Sequence, residues 1–133
     1  MMTWLLDGNV LIAMAIEDHP FRKRCVNWFR NIQSFATCPV TEGTLLRMHT
    51  MHAADKSIEA AWRTLETYHA HPKHTFWSEN FSYIEIAPTR LSGHRQITDS
   101  WLAELANRNG GKLATLDEPL SALWPDSVQL IPY

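Results

Sequence analysis

Apolar residues along this chain fall into short runs that stop at a polar or acidic residue, alternating with longer stretches where they recur every three or four positions. Leu5-Leu6 closes at Asp7 and leads into Asn9–Ile16, which reads as a strand feeding a helix. Pro20 then occupies the first turn of a second helix with Phe21, Cys25, Trp28, Phe29 and Ile32 on one face. Phe35–Val40 suits a buried strand, and Thr41 follows as the N-cap of a third helix carrying Glu42 in its first turn and Leu45, Leu46 and Met48 beyond. A fourth helix displays Ile58, Ala61, Trp62, Leu65 and Tyr68, ends at His69-Ala70-His71-Pro72, and is followed by a loop to about Ser82.

Tyr83–Ile86 is a candidate strand, and Thr98 is the expected cap of a helix whose buried stripe is Trp101, Leu102, Leu105 and Ala106. Gly110-Gly111 closes that helix. Lys112–Thr115 predicts a short strand, Glu118-Pro119 the start of a short helix, and Val128–Ile131 a final strand. Strands alternating with helices predict an α/β fold of three layers around a mainly parallel sheet.

Composition narrows this picture. With 133 residues, 45% of them hydrophobic, and six Trp, five Phe and three Tyr, residues 1–133 read as a single domain with a packed core, and disorder is excluded. The most apolar run, Val10–Ile16, closes at Glu17-Asp18 and is too short to span a membrane. The start lacks the basic region of a secretory signal, and Cys25 and Cys38 have neither metal-type nor CxxC spacing. A reducing cytoplasm is the expected setting. A net charge of −2 excludes a general polyanion binder, so any nucleic-acid contact must be local. The local basic groups are Arg22-Lys23-Arg24 and the set Arg90, His94 and Arg95; each by itself reads as a solvated surface.

Four acids occupy equivalent places: Asp7 and Asp117 follow strands, while Glu42 and Asp99 open helices after apolar segments. Each has a structural explanation, as a cap or as a carboxylate favoured by the helix dipole. Together they suggest more, because strand-to-helix transitions of a parallel sheet line up along its carboxyl edge. Two carboxylates about 5 Å apart repel by roughly 3 kcal/mol at an effective dielectric of 20. A divalent cation removes that cost, and oxygen ligands favour Mg²⁺ or Mn²⁺ over Zn²⁺. Metal-assisted phosphodiester hydrolysis is the natural chemistry of such a site.

The segments Leu5-Leu6-Asp7-Gly8-Asn9-Val10-Leu11-Ile12, Cys38-Pro39-Val40-Thr41-Glu42 with Leu45-Leu46-Arg47, Ile97-Thr98-Asp99-Ser100-Trp101-Leu102-Ala103, and Gly111-Lys112-Leu113-Ala114-Thr115-Leu116-Asp117 resemble PIN-domain ribonucleases, especially VapC-type toxins of bacterial toxin–antitoxin pairs. The likeness spans nearly the whole chain and rests on the order and spacing of the blocks. It implies a three-layer α/β/α sandwich with a five-stranded, mainly parallel sheet. It also implies a Mg²⁺- or Mn²⁺-dependent endoribonuclease with RNA as substrate, a small antitoxin as partner and a homodimer as assembly. By position, Asp7, Glu42, Asp99 and Asp117 match the family's acidic cluster, and Asn9 and Thr115 its supporting polar residues. Asp7 and Asp99 are the expected metal ligands. Glu42 and Asp117 are left as direct, water-mediated or second-metal ligands, with Glu42 also able to orient the attacking water. Gly8 departs from the Thr, Ser, Ala or Val more usual beside the first acid, and looser positioning of Asp7 is the expected consequence.

Other constellations carry less. His69, His71 and His74 around Pro72 offer zinc-type ligands, but with no cysteine or acid at ligand spacing they read as a solvated helix end and loop with no metal assigned, and His49 with His52 lacks further ligands. Two competing functions follow: a metal-free nuclease using histidines as acid and base, and a catalytically weak PIN-like module that binds RNA or protein without turnover. Trp28, Trp62 and Trp101 have core-like spacing, whereas Trp77 and Trp124 fall in loop-like contexts suited to an interface.

Overall fold

A computed structural model describes residues 2–78, 81–88 and 91–133. Five strands, β1 (Trp4–Leu6), β2 (Phe35–Thr37), β3 (His74–Phe76), β4 (Lys112–Thr115) and β5 (Val128–Leu130), form one sheet in the order β3-β2-β1-β4-β5, with every pairing parallel. Parallel neighbours need long crossovers, and the helices α1 (Gly8–Ala15), α2 (Arg22–Phe29), α3 (Pro39–His52), α4 (Ile58–Ala70), α5 (Ile97–Arg108) and α6 (Glu118–Leu123) supply or flank them. Strand periodicity sorts side chains between two cores. Leu6, Phe35 and Ala114 pack with Val10, Leu11, Cys25 and Leu45 on one face, while Leu5, Ala36 and Leu113 pack with Trp101, Leu102 and Leu105 on the other. The result is the expected α/β/α sandwich. Strand order reverses between β1 and β4, so their carboxyl ends flank the crevice where open parallel sheets place ligands. Among the described residues, no helix is long and apolar enough to cross a membrane.

Several local expectations change. The strand expected over Phe35–Val40 ends at Thr37, because Pro39 starts α3. Cys38 is therefore the N-cap, and Thr41 lies inside the helix with its hydroxyl accepting the Cys38 backbone N–H at 3.1 Å. Thr98 likewise is not a cap, since a 3₁₀ turn at His94–Gln96 runs directly into α5. Helix α2 starts at Arg22, leaving Pro20 in the preceding turn and Ile32 beyond its end. The supposed loop after Pro72 contains β3, an edge strand with the mostly exposed sequence His-Thr-Phe that carries no buried-strand signature. Tyr83–Ile86 is not a strand but a 3₁₀ turn over Tyr83–Glu85, because Ser82 and Glu85 cap it reciprocally; Ile84 is left exposed.

The tryptophans also redistribute. Trp101 is buried and Trp28 packs edge-on to Trp4, but Trp62 is 48% exposed on the outer side of α4. Trp77 is buried and Trp124 half-buried, both packing with the α5 core. Gly110 adopts φ +70° just after α5, the left-handed closure that its sequence position predicts. Cys25 and Cys38 are both buried and not joined in a disulfide.

Candidate active site at the carboxyl edge of the sheet

Asp7 follows β1 and occupies the N-cap position of α1, yet its carboxylate makes no bond to the N2 or N3 amide. It is instead held by Thr115 at the end of β4, whose hydroxyl donates to Asp7 Oδ2 at 2.8 Å. The same Thr115 oxygen accepts Asn9 Nδ2 at 3.2 Å and the Asp117 backbone N–H at 3.1 Å. Asn9 completes the brace by accepting the Leu116 N–H at 3.2 Å. Thr115 is fully buried, so this hub rigidly fixes the ends of β1 and β4 to each other. Asp117 Oδ1 caps α6 through the Leu120 N–H at 3.1 Å, which leaves its other oxygen for the crevice. Asp99, in the first turn of α5, has no hydrogen-bond donor among the described residues.

The electrostatics show that these three aspartates share one neighbourhood. Burial is the main cause lifting Asp7 above the usual carboxylate range, offset by the Thr115 hydroxyl and Gly8 N–H and reinforced by Asp117. Asp99 is pushed up to about 6, first by burial and then by Asp7 and Asp117. Desolvation plus mutual repulsion is the condition that a bound cation relieves, and an all-oxygen donor set fits a hard dication. Asp7, Asp99 and Asp117 with Asn9 and Thr115 therefore fit such an ion.

Glu42, in the first turn of α3, bonds toward the β2–β3 side of the same edge. Its Oε2 accepts the Thr37 hydroxyl at 2.7 Å and lies 2.6 Å from His69 Nε2. His74 Nε2 lies 2.8 Å from the same Thr37 oxygen. Burial, then neighbouring His69, lowers the His74 pKa, with Glu42 opposing. Among the described residues, Glu42, His69 and His74 are the group of three ligand-type side chains whose donor atoms all lie within 4.8 Å of one another. His69 lies exposed at the end of α4, as a solvated helix end would, whereas His71 and His74 are half-buried. His71 packs edge-on to Phe29 and Phe35, His74 lies against Phe35, and the acid that completes the set comes from a different helix.

A PIN-domain family profile matches residues 4–123, nearly the whole chain. The chain belongs to the PIN-domain family. It is similar to Ribonuclease VapC29 of Mycobacterium tuberculosis, 38% identical over 132 residues that cover 98% of each chain. Ribonuclease VapC38 of the same species is 35% identical over 118 residues, covering 85% of this chain and 84% of the other. Among solved structures, FitAB bound to an IR36 DNA fragment matches at a TM-score of 0.69, with 16% identity over 96% of this chain and 94% of that one. VapBC2 from Rickettsia felis bound to a DNA fragment from its promoter also matches at 0.69, with 16% identity over 98% and 100%. These two structures share the fold.

In this PIN domain the consequence expected of Gly8 is reversed. Gly8 is buried in the first turn of α1, and a Cβ there would stand 2.3 Å from Thr44 Cγ2 and 2.5 Å from Thr44 Cβ. The space of the missing side chain is filled by α3, so the backbone beside Asp7 is confined by close packing rather than loosened. Of the basic groups, Arg24 is committed to the Ile131 and Pro132 carbonyls and the Tyr133 ring, and Arg22 reaches the Met14 carbonyl. His94 and Arg95 stay exposed on the turn that leads into Asp99; Arg90 lies outside the described residues. Sequence reasoning weighed His69 and His74 and set them aside, and it did not single out Thr37; the three histidines around Pro72 stay uninformative until Glu42 is placed beside them.

Proposed function

We propose that this chain is a divalent-metal-dependent endoribonuclease, the toxin of a toxin–antitoxin pair, that hydrolyses RNA phosphodiesters at the carboxyl edge of its sheet. The observation that carries the reading is the convergence of Asp7, Asp99 and Asp117 at the β1–β4 crevice, braced by Thr115 and Asn9. Full-length similarity to chains named ribonucleases supports it.

Asp7 and Asp99 would hold Mg²⁺ or Mn²⁺, and Asp117, one of whose oxygens caps α6, would add a further carboxylate. When bound, such an ion supplies positive charge for the scissile phosphate and acidifies a water. Thr115 and Asn9 orient the Asp7 carboxylate, so that little reorganisation is needed on substrate binding. Glu42 is left with Oε1 to orient the attacking water, because Oε2 is taken by Thr37 and His69. His94 and Arg95, beside Asp99 on the approach to α5, hold flanking phosphates. Water attack with departure of the 3′-oxygen leaves a 5′-phosphate and a 3′-hydroxyl, with no role for the RNA 2′-hydroxyl.

Beside Asn9, a groove of about 260 Å³ is lined largely by Ile12, Phe21, Met48 and Leu116, with 46% of Phe21 exposed. We assign it to the antitoxin, whose apolar segment would cover it and approach the aspartates. The cytoplasm and a homodimer complete the proposal.

The test is cleavage of structured RNAs by antitoxin-free protein in Mg²⁺ or Mn²⁺, with the RNA ends mapped. Cleavage abolished by EDTA and by a folded Asp99→Asn variant, with 5′-phosphate products, is the expected result. A 2′,3′-cyclic phosphate, or cleavage persisting in EDTA, would instead select the metal-free histidine mechanism. RNA binding without cleavage would select the binding module.

A further inference from the structure

We infer that Glu42, His69 and His74 form a second metal site, selective for a borderline dication of the Zn²⁺ class and distinct from the hard-ion aspartates. Two imidazoles and one carboxylate are the donor set that such ions prefer, and three protein ligands leave a coordination position for water. The three side chains come from α3, α4 and β3, and a donor atom of each lies within 4.8 Å of the others. Ligands at zinc distances around one tetrahedral ion stand roughly 3.3 Å apart. Glu42 Oε2 and His69 Nε2 are already at 2.6 Å, and an ion would take the place of the protons that His69 Nε2 shares with Glu42 and His74 Nε2 with Thr37.

The surroundings are organised as a ligand site needs. Phe35 stacks edge-on to His74 at 5.2 Å and restrains its ring, while β3 is fixed by parallel pairing with β2. The His69 and His74 rings lie 4.3 Å apart, both turned toward the Glu42–Thr37 pair. Thr37 is fully buried and donates to Glu42, an outer partner that orients a carboxylate ligand. Without an ion the two imidazoles are held by hydrogen bonds, His69 to Glu42 and His74 to Thr37, and the same placement gathers three ligand atoms around one point. The His69 side chain is 41% exposed, which gives an ion and its water a path from solvent. An ion held here commits Glu42 Oε2 to the β2–β3 side of the edge.

The test is a Co²⁺ titration of the full chain in excess Mg²⁺, which keeps the aspartates occupied, followed by visible absorption and reversed by Zn²⁺. The expected result is a Zn²⁺-displaceable cobalt spectrum whose affinity falls at least about tenfold in His69→Ala and in His74→Ala and is unchanged in Asp99→Asn. If His74→Ala does not fold, the exposed His69→Ala variant decides alone. Cobalt binding that survives His69→Ala, that is lost in Asp99→Asn, or that never forms overturns the proposal. The readout does not depend on RNA cleavage.

Discussion

The carboxyl edge of this sheet holds two polar corners that differ in chemistry. At β1–β4, three aspartates crowd a crevice with oxygen donors alone, and desolvation plus repulsion pushes Asp99 up to about 6. At β2–β3, a single carboxylate is surrounded by the hydroxyl of Thr37 and the imidazoles of His69 and His74, so its charge is compensated within the protein. The first corner is electrostatically incomplete and gains most from a hard cation; the second is satisfied without one yet presents nitrogen ligands. Four acids that look equivalent along the chain thus have different surroundings, Glu42 bonded to Thr37 and His69 and the three aspartates acting on one another. The joint between the corners is the contact of Gly8, next to Asp7, with Thr44, two residues beyond Glu42.

The largest effect that would test this division is on catalysis. Asp99→Asn should reduce RNA cleavage by at least about 100-fold while the far-UV spectrum remains native and the melting temperature is not lowered, since Asp99 engages no hydrogen-bond donor among the described residues and its charge opposes folding. Substantial residual activity would remove the β1–β4 corner from the mechanism. Thr115→Val should come next, with cleavage down about 10–100-fold, because it keeps the volume of the buried hub but releases Asp7, Asn9 and the Asp117 N–H together. Wild-type rates in that variant would mean that the brace is ornamental.

The joint is tested by stability. Gly8→Ala should lose about 1–3 kcal/mol in urea unfolding, because Thr44 Cβ is tied to the α3 backbone and no rotamer change relieves it. Adding Thr44→Gly should recover part of the loss despite the helix cost of glycine, and strict additivity of the two changes would refute the contact.

A smaller effect concerns pH. Asp99 is pushed up to about 6 from an ordinary carboxyl value of 3.8, so ionising it opposes folding. Its penalty is absent below the unfolded value, grows as pH rises toward 6, and is constant above. The Asp99 contribution should therefore favour the metal-free fold by about 1 kcal/mol as pH falls from about 7 to about 5, after allowing for partial exposure. It is read as the difference between wild type and Asp99→Asn, because His74 and His19, whose pKa values burial lowers, act in the opposite sense over the same window. Asp55 and Glu85, whose pKa values are lowered by hydrogen bonds to their chain neighbours, act in the opposite sense and only at more acid pH. Melting curves with and without Mn²⁺ check this: Mn²⁺ should flatten the slope, and Asp99→Asn should abolish the Asp99 part of it.

Much of this molecule is legible before any coordinates. Leu5-Leu6 ahead of Asp7 and Lys112–Thr115 ahead of Asp117 identify the two strands that frame the crevice, because strands buried on both faces must be apolar. Gly110 and the cap at Asp117 follow from local backbone chemistry and appear where expected. Edge strand β3 has no such signature, since its short sequence is mostly exposed, and Tyr83–Ile86 imitates a strand although Ser82 and Glu85 close it into a turn.

What the sequence alone determined was the layer order, the alternation that sends Leu5 and Leu6 to opposite cores, and the placement of four acids at strand-to-helix junctions. Those features depend on the period of the backbone and on near neighbours along the chain. Tertiary structure decided which acids meet. The reversal of strand order between β1 and β4 gathers Asp7, Asp99 and Asp117, whereas the pairing of β3 with β2 carries His74 toward Glu42 and the end of α4 brings His69. It also turned Gly8 from a loose point into a tight one, because whether a missing side chain means freedom or close packing depends on what fills the space, here Thr44 from another helix.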